Sequence, residues 1–409
     1  MSKPIALVMT YAHPDEENRL KTQLAELLRM GFEVHTLGFG NKKLEGVKSH
    51  FELPKRQNLI GLFRVALIHL FMPVRNRFHS LRVPTRILKE LELQSVDLVI
   101  AHDLELLPLL LDQKIRPMSF EKAVKHIDLH ELHEFRSTVS GPLANSVWKL
   151  LEGRLKAYHD WLMSLLRSQD IDLATVVNQS IGNWYVLNNF LSDFTEVLNA
   201  APYLEMPFES RHDDGLKFVY HGKYSENRGL ELLISASIGM KPGDALNLML
   251  TGERSDVEKI QSQTLTKNPN IVFHESVPMS QVSHEVAKFD VEIIFFQPIF
   301  KNREFTLPNK FFEALQGRLA IVCGPSPELV RFTKQFGNGA STSGWEARDL
   351  SRLLFSLDRP AIEAMREASH MAAKKVNTES ESTKLFLAWS ELLPSAGIRR
   401  FRKSPEDFD

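Results

Sequence analysis

Short apolar runs recur along the chain, each followed by polar residues and then by a stretch whose apolar positions keep helical spacing. Residues 5–9, 33–37, 97–101, 123–129 and 173–177 are the predicted strands of the first half; residues 216–220, 246–250, 271–273, 291–296 and 319–323 are those of the second. Runs apolar at every position mark strands covered on both faces, as in parallel sheets. Leu20, Leu24, Leu27 and Leu28 line a helix from about residue 16 that Gly31 stops, and residues 104–111 form another. Val147, Leu150, Leu151, Leu155, Tyr158, Leu162, Leu165 and Leu166 line a long helix over 143–169, and Trp184, Tyr185 and Phe190 share the next. The alternation predicts an α/β protein of two doubly wound, Rossmann-like domains facing each other across a cleft. The expected division is a first domain at 1–205, a polar linker at 206–215 and a second domain at 216–375. A tail at 376–409 is expected to pack back on the first domain.

Composition adds exclusions. A length of 409 residues exceeds one typical domain, and 43% hydrophobic with 25% charged residues is ordinary for a soluble protein. A formal net charge of −1 gives no global attraction to nucleic acid. The single cysteine, Cys323, sits in an apolar run and reads as a buried thiol, excluding a disulfide framework and a multi-Cys metal site. The first apolar run is too short for a signal sequence and no run spans a membrane, so a cytoplasmic location is expected. One segment departs from the average. Residues 53–89 hold Lys55, Arg56, Arg64, Arg75, Arg77, Arg82, Arg86 and Lys89 among apolar residues, with no acidic one. Two readings stay open there: contact with an anionic membrane surface on its inner face, or a core helix with a solvated basic rim.

Candidate chemistry gathers where predicted strands end, the edge at which open α/β sheets bind ligands. In the first half these places hold His13, then His102 and Asp103, then Asp128, His130 and Glu131. A metal site from His130, Glu131, His133 and Glu134 lacks a His-Glu-x-x-His spacing, and no metal is expected. The second half offers Gly222, Lys223 and Arg228, then Thr251 and Gly252, then Val277. It ends on the stretch from Glu304 through Pro308, Asn309, Lys310 and Glu313 to Gly317. Pro308 opens a helix there and Gly317 closes it, since glycine accepts positive φ. A helix start with Lys310 and Glu313 beside it suits a phosphorylated, hydroxyl-bearing ligand: cations for a diphosphate, a carboxylate for vicinal ribose hydroxyls. The other reading is an ordinary βα unit with a solvated charged face. Asp213 and Asp214 read as part of the charged linker.

At these residues the chain resembles the GT-B glycosyltransferases of family 4. Gly222 followed by Lys223-x4-Arg228 matches the family's Arg-x4-Lys pair with the cations exchanged, and Pro308-Asn-Lys-Phe-Phe-Glu-Ala314 matches its Pro-Asn-Lys-x-Phe-Glu-Ala run. Asp128-Leu-His-Glu131, Asn199-Ala-Ala-Pro202 and His102-Asp103 match three further elements. The resemblance implies transfer of a sugar from a nucleoside-diphosphate sugar to a glycan or lipid-linked acceptor hydroxyl. Retention at the anomeric carbon and a role in cell-surface polysaccharide or glycolipid assembly come with it; no metal or other cofactor does. Lys223, Arg228 and His130 would be catalytic. Gly222, Thr251, Gly252, Val277, Glu304, Pro308, Asn309, Lys310 and Glu313 would bind the donor, and His13, Asp103 and Glu131 would face the acceptor. One departure stands out: the family's Glu-x7-Glu pattern puts its first Glu at Phe305, while Glu304 lies one residue early. The alternatives are a nucleotide-binding scaffold impaired in turnover and a nucleotide-sugar epimerase.

Overall fold

A computed structural model describes residues 3–54, 59–92, 95–135, 142–224, 229–265, 268 and 270–395. The chain divides into two compact units, residues 1–198 with 382–409, and residues 199–381.

Unit 1 carries β1 (Ile5–Met9), β2 (Glu33–Phe39), β3 (Ser49–Leu53), β4 (Leu98–His102), β5 (Val124–Leu129), β6 (Leu173–Val176) and β7 (Thr195–Glu196), all parallel in the order β3-β2-β1-β4-β5-β6-β7. Each connection crosses a face of the sheet, so helices cover both sides and the central strands are buried, apart from the half-buried Ile5 at the start of β1. The Asn18–Arg29 helix turns Leu20, Leu24 and Leu27 into one core. Leu385, Phe386, Trp389 and Leu393, from the later turns of the Thr378–Ser395 helix, complete that core.

Unit 2 carries β8 (Lys217–Lys223), β9 (Ala245–Thr251), β10 (Ile271–His274), β11 (Val291–Ile294), β12 (Ala320–Cys323) and β13 (Gly339–Ser341), parallel in the order β10-β9-β8-β11-β12-β13. Residues 199–215 run along this unit without helix or strand, and Arg211 ties them to Asp290 at 2.8 Å. Burial pushes the Cys323 thiol up to about 12, which makes it an inert core group.

Several expectations need correcting. Gly317 does follow the Asn309–Gln316 helix, but at φ −77; the left-handed position falls on Arg318, at φ 63. Glycine is needed at 317 for space, since a Cβ there would stand 2.9 Å from both Leu319 Cδ1 and Val286 Cγ2. Phe190 lies beyond its helix, which ends at Leu187, and residues 104–111 form a 3-10 turn followed by a short α-helix. Arg77 is not a surface cation. It is buried in the Val74–Leu81 helix and donates to the carbonyls of Met72 (2.8 Å) and Arg154 (2.9 Å). Arg75 is exposed but paired with Asp112 at 2.7 Å, while Lys55 and Arg56 lie outside the described residues.

Candidate active site

In both units the strand order reverses beside the first strand, between β1 and β4 and between β8 and β11. There neighbouring connections leave toward opposite faces and open a crevice at the carboxyl ends of the strands.

In unit 2 that edge holds the end of β8. Gly222 sits there at φ 122, which a side chain rarely adopts, and a Cβ on it would lie 3.7 Å from Lys310 Nζ. Lys310 is the second residue of the Asn309–Gln316 helix, whose apolar face buries Phe311, Phe312, Ala314 and Leu315 and leaves Asn309, Lys310 and Glu313 on the other side. Pro308 opens the helix without a side-chain cap, so its first N–H groups stay available to a ligand. Lys310 Nζ donates to the His221 carbonyl at 2.6 Å and stands 3.6 Å from the centre of the Tyr220 ring. Among the described residues no carboxylate pairs with Lys310, and none with the exposed Lys223. Glu313 accepts from His221 Nε2 at 2.8 Å, and the opposite ring nitrogen, Nδ1, donates to Glu292 at 3.0 Å. Burial disfavours a charged ring, but Glu292 and Glu313 more than offset it and carry the His221 pKa up to about 9.

The other expected donor residues surround this corner. Thr251 and Gly252 are exposed at the end of β9, where Thr251 pairs in register with Lys223. Asn309 accepts a 2.9 Å hydrogen bond from Asn199, which joins two of the matched sequence elements. Val277 is half-buried in the loop after β10. Glu304 ends the four-residue Lys301–Glu304 helix and Phe305 caps it. Arg228 lies outside the described residues.

In unit 1 the same edge holds Asp103, at φ 72, immediately after β4. His130 Nε2 pairs with it at 3.1 Å, and burial raises the Asp103 pKa to about 7 against the pull of His130. His13 and Glu131 are exposed there. Asp128, expected in the polar cluster beyond the strand, is instead inside β5 and fully buried. It accepts two hydrogen bonds from Arg19 (2.7 and 2.6 Å) and one from Gln23 (2.7 Å), and is a structural ion pair. His102 is buried as well. A cavity of about 610 Å³ opens further along the same loop, lined by His133, Phe135, His159, Arg167, Trp184 and Phe190. Another, of about 690 Å³, lies at the amino-terminal end of β6, by Asp172 and Leu173, away from the site. Among the described residues no group of His, Cys, Asp and Glu is placed to hold a metal ion.

His221 and Glu292 are not among the residues expected at the site. Their signal is in the sequence all the same: Glu292 interrupts the apolar run at 291–296, and a carboxylate inside a buried strand requires a cationic or hydrogen-bonding partner.

No protein-family model matches the chain, and no curated protein sequence does. Solved structures do. The sucrose-phosphate synthase of Thermosynechococcus elongatus superposes with a TM-score of 0.64 at 11% identity, covering 96% of this chain and 100% of that one. Anabaena HepE in complex with UDP-glucose follows at 0.62 and 12%, covering 95% and 100%. WaaG, a glycosyltransferase involved in lipopolysaccharide biosynthesis, gives 0.57 and 12%, covering 94% and 98%. The fold is therefore GT-B, with two Rossmann-like units.

Proposed function

We propose that this chain is a glycosyltransferase that moves a sugar from a nucleoside-diphosphate sugar to an acceptor hydroxyl. The observation that carries the reading is the corner at the end of β8, where Lys223 and Lys310 have no carboxylate partner among the described residues and stand beside an uncapped helix start and Glu313. The complex of HepE with UDP-glucose, on the same fold, supports a nucleotide sugar as the ligand. In this reading Lys223, Lys310 and Arg228 neutralise the departing diphosphate and Glu313 holds the ribose. That is electrostatic catalysis by groups already in place, with no metal required. Gly222, Thr251, Gly252, Val277, Glu304, Pro308 and Asn309 shape the donor site. His130, held by Asp103, faces the acceptor with His13 and Glu131. Transfer proceeds with retention, the leaving phosphate oxygen helping to take the acceptor proton, in the assembly of a cell-surface polysaccharide or glycolipid. Exposed Leu67, Phe71 and Met72 near exposed Arg64 give the protein a peripheral place on an anionic membrane. Sedimentation with anionic vesicles, weakened by salt and by Arg64→Glu, is the expected result; equal recovery with neutral vesicles removes this part.

Turnover tests the whole. Lys223→Ala and Arg228→Ala should each lower kcat by about 100-fold or more while thermal unfolding stays near that of the parent. Near-parental turnover in both overturns the assignment. The offset of Glu304 favours a second reading, a GT-B nucleotide-binding scaffold. Calorimetry against nucleotides separates the two: binding with neither donor hydrolysis nor transfer to any of a broad set of acceptors selects the scaffold.

A further inference from the structure

His221 is the buried ionisable group that the functional reading leaves without a task. Its two ring nitrogens face two carboxylates, Nδ1 to Glu292 at 3.0 Å and Nε2 to Glu313 at 2.8 Å. A carboxylate only accepts, and only the doubly protonated imidazole has two N–H groups, so satisfying both contacts requires an imidazolium. Glu292 is fully buried in β11 and its Oε1 has no hydrogen-bond partner among the described residues, so the ring is its compensating charge. The main-chain carbonyl of His221 accepts from Lys310 Nζ at 2.6 Å. The charged groups around the ring are Glu292 from β11, with Glu313 and Lys310 from the Asn309–Gln316 helix.

We propose that His221 is a positioning residue for nucleotide recognition, its imidazolium fixing the Glu313 carboxylate and its carbonyl fixing the Lys310 ammonium, with Glu292 as the buried counter-charge that keeps the ring protonated. The inference rests on the reading in which Glu313 takes the ribose and Lys310 the diphosphate. One residue thereby sets the spacing between the two polar ends of a nucleoside diphosphate. When the ring loses a proton, one carboxylate faces a lone pair. Glu292 has no other partner among the described residues and is fully buried, so it keeps the remaining N–H and Glu313 is released. Nucleotide affinity then falls on the alkaline side, near the raised pKa of about 9.

The test uses the full chain and the nucleoside diphosphates UDP, GDP, ADP and dTDP, with Kd measured by calorimetry from pH 7 to 10 for whichever binds. Glu313→Gln should weaken binding about tenfold. His221→Gln should match it at pH 7 within about threefold, and the double variant should be no weaker than Glu313→Gln, because the two act as one unit. Parent Kd should rise about tenfold across the alkaline limb, with both single variants flat. Glu292→Gln should move that limb to lower pH, a change that a merely structural histidine would not produce. Independently of any nucleotide, the side-chain nitrogens of His221 should show the imidazolium NMR signature at pH 7. If His221→Gln does not fold, the NMR signature and the Glu292→Gln shift decide the matter. A singly protonated ring at pH 7 overturns the proposal. Parental affinity in His221→Gln beside a weakened Glu313→Gln also overturns it and leaves the nucleotide reading standing. Parental affinity in both Glu313→Gln and Lys310→Ala, or no binding by the parent chain, overturns the nucleotide reading and the proposal together.

Discussion

Each unit sets one carboxylate inside a buried strand and surrounds it with histidine, yet the two clusters settle in opposite charge states. Asp128 in β5 and Glu292 in β11 are both fully buried. Around Asp128 the histidines are neutral: burial lowers the His102 pKa to about 3 and that of His126 to about 4. Beside Glu292, His221 is held charged. The difference is who supplies the cation. Arg19 reaches Asp128 with two nitrogens, at 2.7 and 2.6 Å, and matches its charge before any imidazole is needed. A hydrogen-bond relay then fixes His126 in its neutral form: Trp389 Nε1 donates to His126 Nδ1 (3.3 Å), Nε2 donates to Thr175 Oγ1 (2.8 Å), and that hydroxyl donates to Asp128 (2.6 Å). No arginine reaches Glu292 among the described residues, and the imidazole takes the charge itself. A buried histidine therefore follows the count of permanent charges around it, and burial alone does not fix its state.

The largest expected effect breaks the first cluster at its cation. Arg19→Met keeps length and apolar packing but leaves Asp128 charged and unpaired in the core, which should cost about 3–5 kcal/mol in urea denaturation. His102, 3.3 Å from Asp128 through Nδ1, should then titrate well above its parental range and turn this cluster toward the charge pattern of the other. A loss below about 1 kcal/mol, or an unmoved His102, would show that Arg19 is not what keeps these rings neutral.

The frame of both clusters was legible before their pairings were. Central strands β1 and β4 announce themselves as apolar runs, Ile-Ala-Leu-Val-Met and Leu-Val-Ile-Ala before His102, because both of their faces are covered. Strands β3, β7 and β13 do not: β3 reads Ser-His-Phe-Glu-Leu at the edge of its sheet, β7 has two residues, and β13 reads Gly-Ala-Ser. Neighbouring strands supply their hydrogen bonds, so no local pattern is required of them. The carboxyl-edge residues Lys310, Glu313, Asp103 and His130 were expected at strand ends and stand there. Contacts across large sequence separations were invisible. His221 meets Glu292 and Glu313 only through the parallel packing of β8 on β11 and the crossover that follows. Arg77 was misread for a related reason: a basic residue in a basic segment looks solvated, and only the fold shows the two carbonyls that bury it.

The next effect is a contrast in pH dependence. The His221 pKa is about 9 folded and near 6.5 unfolded, so its stabilisation is complete below pH 6.5 and is lost as pH rises toward 9. The full change is about 3 kcal/mol. For His102 and His126 the sign reverses. Their folded pKa values lie below 6.5, so the unfolded chain binds the extra protons and stability is lost as pH falls from 6.5 toward 3. Hydrogen exchange read strand by strand should show unit 2 loosening first in alkali and unit 1 first in acid. His221→Gln should flatten the alkaline loss in unit 2 and leave the acid response of unit 1 unchanged. Parallel pH profiles for the two units in the parent chain would end the comparison.

The smallest effect isolates the relay. Thr175→Val is nearly isosteric, but it removes the acceptor for His126 Nε2 and one donor to Asp128 while leaving the Arg19 pair intact. A buried N–H left without a partner costs about 1–3 kcal/mol, and the lost bond to a charged oxygen falls within the same range. Because Arg19 still balances the charge, His102 should keep its low pKa, in contrast to its behaviour in Arg19→Met. Denaturation midpoints and the His102 titration, measured on both variants, separate the two roles: charge balance by Arg19 and hydrogen-bond direction by Thr175. If Thr175→Val shifts His102 as far as Arg19→Met does, the hydroxyl relay and the arginine set the charge state together, and the simple count of permanent charges fails.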